Sequence, residues 1–276
     1  MHDSLLVQKL ENLASEARAR IIMNSHKTNT PHLGSCLSCV DILIAMYFYK
    51  LKIKPEEPRA EDRDRFILSK GHGAAALFQV LAMKGFYEDT LLDDYGQNGS
   101  LFAEHPPTPD YLPGIEAATG SLGHGLPIGL GMALSSRVTS NDYNVYVLLG
   151  DGECNEGSIW EAATMTAAQN LMNLHVFVDA NKWQATDRSA DLVGPTSLKQ
   201  KWEAFGWQSI EIDGNDMKSI LETLDRDTEE KKPVAVILNT KKGAGVSFME
   251  DDNNWHYRIP TMNEVKDAYK QLGVDI

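Results

Sequence analysis

The sequence has little of three things: cysteine, basic charge and long apolar runs. Its 276 residues include only Cys36, Cys39 and Cys154, too few for a disulfide scaffold, and their odd number leaves one without a partner. Disulfide-rich chains belong to oxidising compartments. We therefore expect this protein in the cytoplasm.

Basic residues are outnumbered. There are 26 lysines and arginines against 39 aspartates and glutamates, a net charge of −13. A chain with this charge is repelled by nucleic acids and by anionic membranes, so neither is expected as a partner. A small anion can still bind in a local pocket.

Apolar runs are short. The longest apolar region, residues 42–49, falls well below the ~18 to 20 residues that a transmembrane helix needs. The N-terminal stretch MHDSLLVQKLENLASEARAR is charged and amphipathic and has no secretory h-region. We expect no membrane-bound form.

The pattern of apolar residues predicts alternating helices and strands. Predicted helices cover residues 5–24, 37–49, 74–84, 126–137, 158–170, 197–205 and 217–224. Predicted strands cover residues 65–69, 144–149, 175–178, 209–212 and 234–238. This alternation is typical of a doubly wound α/β fold, a mostly parallel sheet with helices on both faces. Residues 91–119 read as a long loop, which in a compact domain is usually functional.

Ligands of such sheets bind outside the carboxyl ends of the strands, so the turns after Leu149 and Val178 are the first to inspect. Gly150 and Gly152 flank Asp151 and let the backbone turn sharply beside a ligand. The N–H groups of this turn suit an anion, which Asp151 would repel unless a divalent cation lay between them.

The next turn supplies further ligands for such a cation. The side-chain oxygen of Asn181 and the carbonyl of Trp183 can join Asp151 around Mg²⁺, for which Ca²⁺ or Mn²⁺ can substitute. Gly-Asp-Gly alone is equally compatible with a plain strand-to-helix turn. Asn-Lys at the end of the following strand makes the metal interpretation more specific.

The segments that contain these residues resemble those of a known family. GDGECNEG followed by VDANK resembles the thiamine diphosphate signature of the transketolase family. Four more segments are similar to family segments in the same order: NTPHLGSCLSCVDIL, DRFILSKGHGAAALFQVLAMKGFY, EHPPTPDYLPGIEAATGSLGHGL and KKGAGVSFMEDDNNWHYRIP. The similarity runs from about Leu13 to Pro260. It implies that residues 1–276 form a single diphosphate-binding domain.

The resemblance also implies roles for individual residues. His32 and His105 should face the C1 hydroxyl and carbonyl of the donor, and His72 and His256 the diphosphate and the reacting carbon. Imidazoles exchange protons readily near neutral pH, although each histidine taken alone is more often structural. The remaining implied cofactor contacts are Gly120, Ser121, Leu122, Gly150, Asp151, Gly152, Glu153 and Asn181.

Glu156 is implied to lie at a dimer interface that links two cofactor sites. The alternative interpretation of Glu156 is a solvated carboxylate at the start of a helix, stabilised by the helix dipole.

Cys36 and Cys39 form a C-x-x-C pair. Zinc needs four ligands and no second pair is present, so a structural role is favoured over a zinc or redox site.

Several positions depart from the family pattern. Leu33 replaces a proline, Glu104 and Tyr257 replace glycines, His124 replaces a glutamine, and Trp183 is large for its position. These changes cluster where the donor would sit. They indicate an unusual donor or acceptor.

Family members are more than twice this length and continue into a pyrimidine-binding and a C-terminal domain. The resemblance therefore implies the N-terminal subunit of a split transketolase, active only with a partner chain that carries those domains. The expected assembly is an α₂β₂ heterotetramer. It would move a two-carbon ketol unit from a ketose or its phosphate to an aldose or its phosphate. The alternatives are a related split carboligase with a non-standard donor or acceptor, and a non-catalytic regulatory subunit.

Overall fold

Five parallel strands form one sheet at the centre of the protein. The computed structural model describes residues 2–226 and 232–276. The strands are β1 (Arg65–Leu68), β2 (Val145–Gly150), β3 (Leu174–Asp179), β4 (Gln208–Asp213) and β5 (Val234–Asn239), in the order β1-β2-β3-β5-β4. Gly150 at the end of β2 pairs with Asp179 at the end of β3. The predicted parallel sheet is confirmed, with strand ends within about two residues of expectation.

Helices cover both faces of the sheet. The α-helices are α1 (Ser4–Thr28), α2 (Leu33–Leu37), α3 (Val40–Ala45), α4 (Ala74–Lys84), α5 (Gly125–Thr139), α6 (Gly157–Ala168), α7 (Ser189–Val193), α8 (Leu198–Ala204), α9 (Met217–Leu224) and α10 (Met262–Leu272). Short 3₁₀ segments lie at Gly71–Gly73, Asp89–Asp94, Gly152–Asn155 and Asn253–His256.

Alternation along the strands divides the core into two layers. Tyr146 and Leu148 face the layer formed with α1, α3, α4, α9 and α10. Val147 and Leu149 face the layer formed with α5, α6 and α8. Because successive side chains of a strand point to opposite faces, these nearly all-apolar strands are buried on both sides. The doubly wound α/β fold is confirmed.

The structure differs from the predicted elements in three regions. The predicted helix 37–49 starts earlier, at Leu33, breaks around Cys39, and ends in a π-helical turn at Met46–Lys50. The break follows a non-helical backbone at Cys39 (φ −104°, ψ 7°). Two helices, α7 and α10, fell outside the predicted set. Among the described residues, no helix has both the length and the apolar character to cross a bilayer.

Candidate functional site

The carboxyl ends of four strands meet at one edge of the sheet and supply the polar groups of the site. Lys70 follows β1, Asp151 follows β2, Asn181 follows β3 and Lys242 follows β5. They line a cavity of about 300 Å³. Ten predicted site residues line it: His72, Leu122, Gly150, Asp151, Gly152, Glu153, Glu156, Asn181, Trp183 and His256.

Asp151 carries the clearest sign of a cation site. Its Oδ1 accepts the Gly152 N–H at 2.9 Å, and its Oδ2 accepts the Lys182 N–H at 3.0 Å and the Ser189 hydroxyl at 2.9 Å. None of these donors is charged. Burial raises the pKa of Asp151 to about 6. A buried carboxylate held only by neutral donors is suited to a divalent cation.

Asn181 lies directly beside it, at the end of the neighbouring strand. Its Oδ1 accepts the Trp183 N–H at 3.0 Å, and its Nδ2 donates to Asp179 Oδ2 at 3.1 Å. These bonds fix which end of the amide is oxygen, and they leave that oxygen with a second lone pair. The same turn places Trp183 at the cavity wall.

Asp179 organises the interior side of the site. It is fully buried and accepts bonds from Ser38 Oγ (2.7 Å), Thr240 Oγ1, Asn181 Nδ2 and Lys70 Nζ. Burial opposes the charge of Lys70, but the Asp179 carboxylate outweighs it and raises the pKa of Lys70. The lysine therefore stays cationic inside the protein.

Lys242 brings a second cation to the cavity. Its side chain packs against Gly34, where an added Cβ would lie 3.0 Å from the Lys242 Cε and Cγ, and its Nζ donates to Asn253. Burial, and then Lys70, lower the pKa of Lys242 to about 8. Lys70 and Lys242 were not among the predicted site residues. Lysines after strands are common, and only the three-dimensional structure shows that these two converge.

Glu153 links two turns of the site by hydrogen bonds. Its Oε1 accepts the Gly123 N–H at 3.0 Å and the Ser69 hydroxyl, and its Oε2 accepts the Gly150 N–H at 3.1 Å. Both oxygens are thus used by the chain's own donors. The carboxylate holds the turn of residues 120–123 against the turn after β2.

The four predicted histidines come together as one cluster. The His32 ring lies 5.1 Å from the His72 ring and 5.0 Å from the His256 ring, centroid to centroid. The His72 and His105 rings are 4.9 Å apart. The Gly120 backbone packs so closely on His105 that a Cβ there would lie 2.6 Å from the ring.

Burial lowers the pKa values of three of these imidazoles and so favours their neutral form. Burial, and then the neighbouring His72, lower the pKa of His32 to about 4. Burial, and then Lys242, lower the pKa of His256 to about 3. The pKa of His72 is lowered by burial and by His105. Three neutral rings with free ring nitrogens form a site that can accept protons at neutral pH.

Two of the positions that depart from the family pattern border this cluster. His32 Nδ1 is buried and has no hydrogen-bond partner among the described residues, and Glu104 Oε2 lies 3.7 Å from it. The Tyr257 ring lies 4.7 Å from the His256 ring and is largely exposed. His32 itself has φ 75°, a left-handed backbone that turns its side chain toward the cluster.

Other predicted residues lie at the rim. Glu156 is exposed and precedes α6, and its Cβ would be 2.7 Å from a Cβ on Gly123. Ser121 and His124 are exposed, and His124 Nδ1 bonds the Leu122 carbonyl at 3.1 Å.

Cys36 and Cys39 are buried free thiols, and burial raises their pKa values to about 11 and about 12. Within residues 2–226 and 232–276, no group of three or more His, Cys, Asp or Glu side chains is arranged to hold a metal.

The residues present fit a divalent cation and a diphosphate. The buried Asp151 carboxylate and the Asn181 amide oxygen provide hard oxygen ligands. Lys70 and Lys242 provide positive charge on the same cavity. Two cationic side chains facing a carboxylate and an amide oxygen suit a diphosphate bridged by a divalent cation.

Comparisons with known proteins agree with this geometry. The family model described as transketolase, thiamine diphosphate binding domain, matches residues 10–276. The chain is 39% identical over 268 residues to a protein of Phocaeicola vulgatus named as one subunit of an apulose-4-phosphate transketolase, covering 97% of this chain and 95% of that one. It is 37% identical over 242 residues to 6-deoxy-6-sulfo-D-fructose transketolase subunit SqwG of a Clostridium species, covering 87% and 88%.

Among solved structures, a transketolase mutant from Pichia stipitis superposes with a TM-score of 0.89 at 28% identity. The match covers 96% of this chain and 41% of that one. The chain therefore spans about two fifths of the solved enzyme and nearly all of the Phocaeicola relative.

Proposed function

The chain belongs to the transketolase family, and from this premise we propose that it is the diphosphate-binding subunit of a split transketolase. It is a transferase subunit that moves a two-carbon ketol unit between sugars or sugar phosphates. The observation that carries the proposal is the convergence of Asp151, Asn181, two lysines and four histidines at one edge of the sheet.

We propose Mg²⁺ and thiamine diphosphate as the resident groups. Asp151, Asn181 and the Trp183 carbonyl hold the metal ion, and Ca²⁺ or Mn²⁺ can take its place. Lys70, Lys242 and the backbone N–H groups of the turn after β2 hold the diphosphate. Bound thiamine diphosphate supplies the carbon nucleophile that takes up and passes on the two-carbon unit.

The histidines handle the protons of the transfer. His32 has an Nδ1 without a hydrogen-bond partner among the described residues, and its lowered pKa keeps the ring unprotonated. We propose that it accepts the proton of a donor hydroxyl as the carbon–carbon bond breaks. His105 lies on the same side of the cluster, against His72. His256, whose Nδ1 lies 3.4 Å from Ser35 Oγ, serves the reacting carbon from the other side.

A partner chain belongs to this proposal. Two relatives that match the chain over most of their length are named as subunits. We propose that residues 1–276 form one domain and that the partner carries the pyrimidine and C-terminal domains in an α₂β₂ assembly. Glu156 lies exposed at the start of α6, where it can take part in that interface. The three buried free thiols agree with a reducing compartment such as the cytoplasm.

A non-standard sugar is the more specific version of the proposal. The relatives are named for apulose-4-phosphate and 6-deoxy-6-sulfo-D-fructose, and Glu104 and Tyr257 border the histidines that would face the donor. We propose that this chain also serves a modified ketose. A substrate panel tests this, and faster turnover of xylulose 5-phosphate than of apulose 4-phosphate or the sulfosugar would contradict it.

The central test is Asp151→Asn in the complex with the partner. The variant keeps the shape of the side chain but removes the charge, so Mg²⁺-dependent binding of thiamine diphosphate should weaken on the order of 100-fold. Isothermal calorimetry measures it. Asp62→Asn, the same change in an exposed ion pair with Lys52, is the matched control. Undiminished binding by Asp151→Asn would overturn the proposal.

A further inference from the structure

The loop that presents the Trp183 carbonyl is held by side chains that none of the roles above uses. We infer that Asp251, Arg188 and the Trp183 indole form a clamp that positions this loop for the metal ion and ties it to the segment that carries Lys242. The three are positioning residues. The inference rests on the proposed function, because it concerns the same metal site.

Each member of the clamp touches both others. Arg188 donates from Nη1 to Asp251 Oδ1 and from Nη2 to Asp251 Oδ2, both at 2.6 Å. The Trp183 Nε1–H donates to Asp251 Oδ1 at 2.8 Å. The guanidinium carbon of Arg188 lies 3.9 Å from the centroid of the Trp183 ring. A bidentate pair with a ring stacked on it fixes orientation as well as distance.

The backbone transmits this orientation to the metal ligands. Trp183 and Arg188 face each other in an antiparallel bridge, and the Ser189 N–H donates to the Lys182 carbonyl at 3.0 Å. Ser189 Oγ and the Lys182 N–H both bind Asp151 Oδ2. Moving Arg188 therefore moves the Trp183 carbonyl and the donors that set the Asp151 carboxylate.

The other end of the clamp is anchored on the Lys242 segment. The Asp251 N–H donates to the Lys242 carbonyl at 2.8 Å, and Asp251 has φ 58°. Gly243 has φ 78°, and a Cβ there would lie 2.2 Å from the Met249 carbonyl oxygen, so the segment closes tightly on itself. Asn253 adds a second tie, because it accepts from Lys242 Nζ and donates to the Ala185 carbonyl at 3.1 Å.

The clamp is too exposed to be explained by folding alone. The side chains of Arg188 and Asp251 are 34% and 56% exposed. Ion pairs at such positions contribute little to the stability of the fold. Every member of this exposed clamp contacts the other two, and Trp183 follows Asn181 and Lys182 directly in the chain. Such an arrangement is suited to placing a metal ligand.

The test separates metal affinity from turnover in the assembled enzyme. We expect Asp251→Asn and Arg188→Gln each to raise about tenfold the Mg²⁺ concentration that gives half-maximal thiamine diphosphate binding. At saturating Mg²⁺ and cofactor, kcat should stay within about twofold, because the clamp touches no reacting atom. The double variant should be no worse than either single one, since both break the same contact.

Three further variants complete the design. Arg188→Lys keeps one charged donor and should recover part of the affinity. Trp183→Phe keeps the stacked ring but loses the Nε1–H, so its effect should be intermediate. Arg59→Gln, which breaks an exposed pair with Asp110, is the matched control and should bind as the wild type does.

The outcomes distinguish this inference from the proposed function. Unchanged Mg²⁺ dependence in Asp251→Asn and Arg188→Gln, with binding lost in Asp151→Asn, overturns the clamp alone. Purely additive losses in the double variant also overturn it. Wild-type binding by Asp151→Asn overturns the proposed function itself. A thermal unfolding midpoint that falls in step with affinity assigns Arg188 and Asp251 a merely structural role and contradicts the inference.

Discussion

Histidine serves two separate purposes in this protein. His32, His72, His105 and His256 lie ring to ring at the carboxyl edge of the sheet. His175 lies near the opposite edge, second in β3, with its ring stacked on Tyr146 at 4.9 Å. Burial lowers the pKa of His32, His72 and His256 as it lowers that of His175, but only the first cluster lies at the carboxyl ends of the strands, where such sheets bind ligands.

The buried His175 makes the fold sensitive to acid. Burial, and then Lys50, lower its pKa to about 4 from an ordinary 6.5. Between these values the unfolded chain binds the proton and the folded one does not, so stability is full above pH 6.5 and falls as the pH drops toward 4. At pH 5 the loss from this residue is about 2 kcal/mol.

We expect His175→Phe to remove that loss while keeping the stacked ring. Urea unfolding at pH 7 and pH 5 measures it: the variant should lose about 2 kcal/mol less than the wild type on acidification. The remaining acid sensitivity belongs to residues such as His32 and His256. His124→Phe, at an exposed site, should behave as the wild type. Equal acid losses in His175→Phe and wild type would contradict the assignment.

At the residue scale, the sequence predicted candidate ligands more readily than the residues that hold them. Asp151 and Asn181 were predicted because glycines and strand ends mark them. Lys70, Lys242 and Asp179 were not, because a lysine after a strand or an aspartate at its last position has no local signature. Their roles depend on contacts between residues far apart in the chain, as between Lys70 and Asp179.

At the element scale, glycines decide how closely α5 approaches the sheet. Gly129 faces β2, and a Cβ there would lie 2.7 Å from Val147 Cγ2, a stiff side chain in the core. At Gly131, two residues on, an added Cβ would meet nothing within 4 Å. Substituting Gly129 therefore tests core packing, whereas substituting Gly131 tests helix propensity alone.

We expect opposite signs for the two alanine substitutions. Gly131→Ala should stabilise the chain by up to about 1 kcal/mol, because alanine loses less entropy in a helix. Gly129→Ala has the same entropic advantage, but its methyl group overpacks the core. The substitution should therefore destabilise the fold by about 1 to 2 kcal/mol. Chemical unfolding of both variants measures the difference. Stabilisation by Gly129→Ala would show that α5 can shift away from β2 at little cost.

Helices were predicted well where apolar residues recur at helical spacing, and poorly where tertiary contacts determine where a helix begins or ends. The helix Met217–Leu224 was predicted with its ends. The helix α10 was missed although Thr261 and Glu264 form a capping box that the sequence displays. The break between α2 and α3 could not be read from this mostly apolar segment, because the hydrophobic pattern there continues through both helices.

At the scale of the whole molecule, the common direction of the strands explains why one edge holds the proposed ligand groups. All five strands run in the same direction, so their carboxyl ends and the polar turns that follow them collect at one edge. This was predictable from strand–helix alternation alone. The order β3-β5-β4, which brings Lys242 beside Asn181, was not predictable, since alternation does not specify the neighbours of the later strands.

The surface of α5 and α6 carries the last prediction. These helices pack side by side, and Ile128 and Met165 are 37% and 45% exposed on them. The helix α6 begins next to Glu156, which we propose takes part in the subunit interface. Met165→Glu should leave the fold intact but weaken the α₂β₂ assembly at least about tenfold, because a charge at an apolar contact is costly when desolvated. Sedimentation velocity of the mixed subunits measures it. Leu91→Glu, at a 51% exposed leucine beside α1, should assemble as the wild type does, and equal assembly of both variants would move the interface away from α5 and α6.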